Sequence, residues 1–247
     1  MRIFQVIDLR SSFMLDGHHL APNTVFDSRC INSHERLGER IPAELRGLQR
    51  VRFEKGQPVY MCGGTDSSIY VIESGLVKTS MYSREGKEHL AAIHSDGEIF
   101  GEQCLVSTER TETATAMTET STRRIPNDHF MRVMEEQGLL TDFIKCLTAR
   151  LLDQRQVATE LVTLESEHRL ASTLLRLSQK FGKQRGDRIL IGQRFTQEEL
   201  SRMMGTTRSR VGYFLKRFRS IGLITENPHG LIEINEERTA NYVNLHM

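Results

Sequence analysis

No stretch of the 247 residues approaches the roughly 18 to 20 apolar positions that a membrane-crossing helix requires, which excludes a helical membrane span. The first residues, MRIFQVIDLRSSFMLDGHH, have a broken apolar pattern interrupted by Arg2, Asp8 and Arg10, which argues against a secretory signal. Cysteine is scarce. Cys30, Cys62, Cys104 and Cys146 lie far apart with no CxxC pair, so the sequence offers no metal-binding cysteine cluster. Four separate thiols are those of a reduced compartment, and a cytoplasmic protein with no membrane partner is expected. No phosphate loop of the Walker type and no nucleophile–base signature is present, so no catalytic residue is assigned. His89, His94 and Glu98 lack the HxH spacing that would point two ligands from one strand face, which leaves a metalloenzyme of the cupin type only a remote alternative; no metal ligand and no cofactor is expected.

What is present changes along the chain. Residues 1–40 are rich in breakers and histidine and read as a lead-in. Residues 41–136 have a strand-and-turn texture, with short β-branched or alternating runs between Gly56, Gly63, Gly64, Gly75, Gly86, Gly97 and Gly101. Short strands at this spacing predict a compact β-barrel or β-roll. Residues 137–165 predict one long helix. On it Phe143, Leu147, Arg150, Gln154, Val157, Leu161 and Leu164 recur at steps of four and three, a heptad seam suited to pairing with a second copy. Residues 166–247 begin with an amphipathic helix opened by Ser166 and stopped by Gly182. They end in two short strands joined by the turn ENPHG.

Between these lies FTQEELSRMMGTTRSRVGYFLKRFRSIGLI. From Arg194 to Arg219 it holds seven basic residues against two acidic ones, a local +5 in a chain whose formal charge is +1. Thr196 with Glu199 forms a capping box, Gly205 breaks the helix, and Thr206 or Thr207 caps a second helix through about Ser220. Helix, glycine turn and helix, followed by a hairpin, is the plan of a winged helix-turn-helix. In that motif the first turn of the second helix enters the DNA major groove. Val211, Phe214, Leu215 and Phe218 take the inward face. Arg208, Ser209, Arg210 and Tyr213 are left to read base edges, with Arg208 fitted to guanine O6 and N7. The capped helix starts (Thr196 and Gln197; Thr206 and Thr207) and Lys216 and Arg217 suit phosphates.

This segment resembles the DNA-binding domain of the cyclic-AMP receptor protein and fumarate–nitrate regulator family of bacterial transcription factors. The arginine at Arg208 matches the family, while Ser209 and Tyr213 depart from the glutamate and arginine common in the receptor protein. A second stretch, GEIFGEQCLVSTERTETATAM, resembles the family's phosphate-binding cassette, in a shortened form with Glu112 where a small residue is usual. The backbone amides near Gly101 could join Arg110 and Thr111 in holding a phosphate; by position the resemblance implies that Glu102 meets a ribose, that Arg110 and Thr111 hold a cyclic phosphate, and that Arg150, Gln154 and Arg155 lie near the phosphate and base. It implies an α+β chain: an N-terminal jelly-roll-like β-roll binding a cyclic nucleotide, a long dimerisation helix and a C-terminal winged helix-turn-helix. It implies cyclic AMP as effector, cyclic GMP as the next choice, a homodimer on a near-palindromic operator, and a contact with RNA polymerase. A family member indifferent to cyclic nucleotides is the rival reading; Cys30 alone cannot supply an iron–sulfur cluster, and Cys104 would be its redox-responsive thiol.

Overall fold

The computed structural model describes residues 36–244; Cys30 and nearly all of the lead-in lie outside them. A 3-10 turn at Leu37–Arg40 and a short helix α1 (Ala43–Arg46) precede eight strands. These are β1 (Arg50–Phe53), β2 (Pro58–Tyr60), β3 (Ser68–Ser74), β4 (Val77–Tyr82), β5 (Glu88–His94), β6 (Ile99–Phe100), β7 (Thr113–Ala116) and β8 (Thr120–Pro126). They form two four-stranded antiparallel sheets, ordered β1-β8-β3-β6 and β2-β7-β4-β5. Strands adjacent in a sheet are often distant in the chain, as a roll of crossed connections requires. The interior stacks Tyr60, Tyr70 and Phe100, with ring centroids 5.2 to 6.1 Å apart.

Helix α2 (Asn127–Glu136) closes one end of the roll, and Gly138, at φ 67°, separates it from the long helix α3 (Leu140–Thr163). Phe130, Val133 and Met134 of α2 share a core with Ile69, Val71, Ile99 and Ile125 of the sheet and with Phe143 of α3. The predicted seam is turned by about one residue. Phe143 and Leu164 are buried, while Arg150 and Val157 are half-buried against the chain's own roll and C-terminal half. The face that points outward is Ile144, Leu151 and Ala158, flanked by Gln154, Leu161 and Val162.

Helix α4 (Ser166–Phe181) follows; its N-cap is Glu165 and no side chain caps it, so Ser166 is the first helical residue and not the cap. A hairpin absent from the sequence reading, β9 (Gly182–Arg185) and β10 (Arg188–Ile191), comes next. Then come α5 (Gln197–Met204), α6 (Arg208–Ser220), β11 (Ile224–Glu226), β12 (Ile232–Ile234) and α7 (Glu236–Asn244). The strands form one sheet, β11-β12-β10-β9, so the wing is continuous with the extra hairpin. Leu170, Leu174, Leu177, Leu200, Met204, Val211, Leu215 and Phe218 make the C-terminal core. Leu76, Leu90 and Ile93 of the roll belong to that same cluster, so the two halves touch through apolar side chains.

Candidate nucleic-acid interface and effector cavity

The helix-turn-helix is set by local chemistry. Thr196 accepts from the Glu199 amide at 3.1 Å, and the Glu199 carboxylate takes the Thr196 amide at 2.8 Å. The capping box thus satisfies two amide donors at the start of α5 that otherwise lack partners. Gly205 ends α5 at φ 64°, a left-handed conformation that costs a side-chain-bearing residue more. Thr207, not Thr206, caps α6. At Gly212 an added Cβ would lie 2.9 Å from Gln197 Oε1, so α5 and α6 cross closely there and the Gln197 side chain rests against that crossing.

On α6, Val211, Leu215 and Phe218 are buried and Phe214 is half-buried, while Arg208, Ser209, Arg210, Tyr213 and Lys216 are exposed. Tyr213 is 64% exposed, far beyond what packing would leave for an aromatic side chain. Arg217 and Arg219 are engaged with Glu167 and Glu226, each at 2.9 Å. These two are therefore less available to phosphates than Arg208, Arg210 and Lys216. The basic excess converges on one turn of one helix and the surface around it.

In the roll, Gly101 adopts φ 84° and leads into a 3-10 turn at Glu102–Leu105. A Cβ at Gly101 would approach Arg110 Nη1 to 3.1 Å, so glycine is required both for the turn and for the close passage of the arginine. Arg110 is only 2% exposed. It donates to the Gly101 carbonyl at 2.5 Å and to the Ser68 carbonyl, pairs with Asp66 at 3.2 Å, and lies 4.1 Å over the Tyr60 ring. Asp66 also takes Arg124 and the Tyr70 hydroxyl, each at 2.7 Å. Thr111 donates to Gln103.

A cavity of about 340 Å³ lies between the roll, α3 and α4. Glu98, Glu102, Glu112, Arg150, Asp153 and Gln154 line it, and Arg176, Lys180 and Phe181 of α4 complete its outer wall. Of the effector residues expected from the sequence, Glu102, Arg150 and Gln154 meet here. Arg110 and Thr111 are not among the lining residues, Gly101 is buried, and Arg155 is exposed on α3 outside the lining. Arg150 pairs with Glu102 at 3.0 Å and donates to the Ile99 carbonyl at 2.6 Å; Gln154 donates to the Ala91 carbonyl at 3.2 Å. Sequence reasoning missed Asp153 and the α4 wall, because nothing local marks residues that meet only after two halves dock.

The carboxyls divide by partner. Burial raises Glu102, but Arg150 outweighs it and holds the group below its ordinary value. Burial acts likewise on Glu98, and Lys180, with His94, carries it down to about 2. Glu112 and Asp153 are pushed up by burial, the first despite a 2.9 Å hydrogen bond from Tyr60, the second despite Arg176 and Lys180. An acid whose folded value lies above its unfolded one gives up stability as pH rises from the unfolded value through the folded one. Glu112→Gln keeps an acceptor for Tyr60 and removes that loss. It is expected to raise the melting temperature at pH 7.5, and to raise it less at pH 5, in a thermal melt. An equal shift at both pH values would contradict the assignment.

Among the described residues no group of three His, Cys, Asp or Glu side chains is arranged to hold a metal, and no helix is long and apolar enough to cross a membrane. A β-roll with a half-open cavity on one side, joined by a long helix to a winged helix-turn-helix, is the architecture of a transcription regulator. The cyclic nucleotide-binding domain family matches residues 50–137 and the Crp-like helix-turn-helix domain family matches residues 168–239. The chain belongs to the cyclic-AMP receptor protein and fumarate–nitrate regulator (CRP/FNR) family of transcription factors. It is 28% identical over 202 residues to the CRP-like cAMP-activated global transcriptional regulator of Mycobacterium tuberculosis, covering 81% of this chain and 90% of that one. It is 25% identical to the cyclic AMP receptor protein of Thermus thermophilus, covering 82% and 91%. In fold it is similar to the CooA mutant from Carboxydothermus hydrogenoformans, with TM-score 0.70 at 21% identity over 82% of this chain and 90% of that chain.

Proposed function

We propose that this chain is a homodimeric, cytoplasmic, sequence-specific regulator of bacterial transcription whose DNA affinity is set by an effector in the cavity beneath α3. The start of α6 carries the DNA-reading half of this proposal: Arg208, Ser209 and Tyr213 stand exposed over a buried apolar stripe, at the turn that reads bases in this motif. The outward stripe Ile144, Leu151 and Ala158 supports pairing with a second copy about a two-fold axis, since the three recur at heptad spacing. Two recognition helices so related suit a near-palindromic operator with half-sites about one turn of DNA apart. An RNA polymerase contact belongs to the same reading, by family.

For the effector we propose cyclic AMP, with cyclic GMP second. Glu102 and Arg150 offer hydroxyl and anion contacts on one wall, and Gln154 keeps a carbonyl oxygen suited to a base's exocyclic amine. The commitment of Arg110 to Asp66 and two carbonyls, and the carboxyls of Glu112 and Asp153 at the cavity, favour a second reading. In it, a regulator of this family takes no cyclic nucleotide. Titration calorimetry with each nucleotide distinguishes them. Heat near one ligand per subunit supports the first reading, and the affinity ratio gives the base preference. Silence with both nucleotides at two temperatures, from protein that binds DNA, removes it in favour of the second.

A further inference from the structure

The C-terminal half is pinned to the roll at two charged points around an apolar contact. At the first, Glu88 of β5 meets Arg202 of α5 at 2.5 Å. Glu88 is held in place by the Ser80 hydroxyl at 2.8 Å and by Lys78 at 3.3 Å, and the neighbouring His89 ring nitrogen lies 3.1 Å from the Arg202 carbonyl. Arg202 of α5 is thereby held on β5 by both its side chain and its backbone carbonyl. At the second, Lys180 of α4 reaches the buried Glu98 at 3.0 Å, on the wall of the effector cavity. Between them Leu90 and Ile93 share a core with Leu174, Leu177, Leu200 and Met204.

This docking has a consequence for α6. A cleft runs between the two halves, with Tyr82 at the end of β4 and Ser83, Gly86 and Lys87 of the β4–β5 turn on one side and Thr206, Thr207 and Arg208 on the other. A helix that enters the major groove needs its leading turn clear, because the groove is about 12 Å wide and its phosphate ridges pass on both sides. Here the β4–β5 turn stands across from that leading turn, where a ridge would pass.

We propose that Glu88–Arg202 and Glu98–Lys180 form an intrachain latch that holds the recognition helix against the β4–β5 turn and lowers DNA affinity until it opens. The latch also reaches the effector. Glu98 and Lys180 line the cavity, so a ligand that draws Lys180 away from Glu98 favours the undocked arrangement, and this differential affinity couples the two sites. The inference rests on the DNA-reading role proposed for α6.

Glu88→Arg tests it without altering the DNA-binding half. The substitution adds a third cation beside Lys78 and Arg202 at the first point, while Glu88→Gln removes the charge and keeps an acceptor for Ser80. The probe is a duplex recovered from a randomised pool by the full chain, and binding is measured without added ligand. Glu88→Arg is expected to bind it at least about fivefold more tightly than the unaltered chain, within the usual range of allosteric coupling, with Glu88→Gln intermediate. Hydrogen exchange of the β5 and α5 amides should quicken in both variants, with the roll's β3 and β8 amides unchanged. If exchange quickens and DNA affinity stays the same or falls, the latch exists but does not restrain DNA binding, and the proposal is overturned. If exchange does not change, there is no latch. If no variant nor the unaltered chain recovers any duplex, the DNA-reading role itself is at fault. Should Glu88→Arg fail to fold, Glu88→Gln decides by the same two readings.

Discussion

Arg208→Ala is expected to weaken operator binding by roughly 30- to 20,000-fold while leaving binding to a scrambled duplex almost unchanged. One bidentate arginine–guanine contact contributes about 1 to 3 kcal/mol of discrimination, and a two-fold dimer makes it twice. The side chain is suited to the task because α6 is anchored independently of it. Thr207 supplies the cap, and Val211, Leu215 and Phe218 supply the packing. Its removal therefore costs contact with DNA and not helix stability. Fluorescence anisotropy on the two duplexes, at one salt concentration, measures the difference, since affinity for any duplex falls steeply with salt. Equal losses on both duplexes would mean that Arg208 meets a phosphate and that the base reading lies elsewhere on the helix.

Leu151→Glu is expected to convert the protein to monomers and to abolish tight operator binding together with it. Leu151 is 51% exposed in the single chain, midway along the outward stripe of α3. In a paired helix a glutamate there meets its own copy across the two-fold axis, so two charges lose water with no partner, a cost of several kcal/mol. That corresponds to at least a hundredfold weaker association. Sedimentation velocity at micromolar concentration reads the outcome directly. Val157→Glu is the informative comparison: Val157 faces the cavity, so its variant should remain a dimer. A monomeric Val157→Glu with a dimeric Leu151→Glu would restore the seam first read from the sequence.

Much of the fold was legible because its signals are local. The capping box of Thr196 and Glu199, the left-handed Gly205 and the apolar stripe of α6 each act within a few residues, and all three stand in the structure as the sequence implies. The wing hairpin was equally plain, whereas β9 and β10 were not. Lys183, Gln184 and Arg185 are exposed and polar, and they pair only because β10 has the Ile189–Ile234 register with β12 behind it.

The side-chain assignments in the roll were less legible. The spacing of Gly101, Glu102, Arg110 and Thr111 carries a resemblance, but spacing does not state which way a guanidinium turns. Asp66 stands 44 residues before Arg110, and the antiparallel pairing of β3 with β8 brings Asp66 and Arg124 to the same place. A buried guanidinium turns toward the nearest acceptors, and here those are two backbone carbonyls and that carboxylate, which take its two terminal nitrogens and leave Nε without a partner. For the same reason Lys180 and Asp153 had no mark in the chain: their role exists only where α4 closes the cavity.

By itself, then, the sequence determined the helix-turn-helix, the capping box that opens α5, the buried stripe of α6 and the strand texture of the roll, because hydrogen bonds and periodicity within a few residues settle those. It misplaced by about one residue the face of α3 that turns outward. Apolar residues run around more than one side of that helix, from Phe143 and Ile144 through Leu151 and Val157 to Leu161 and Val162. A heptad pattern cannot choose between adjacent faces when both are apolar. The choice falls to the roll, whose Phe130 receives Phe143 edge-on at 5.3 Å and so turns Ile144, Leu151 and Ala158 outward.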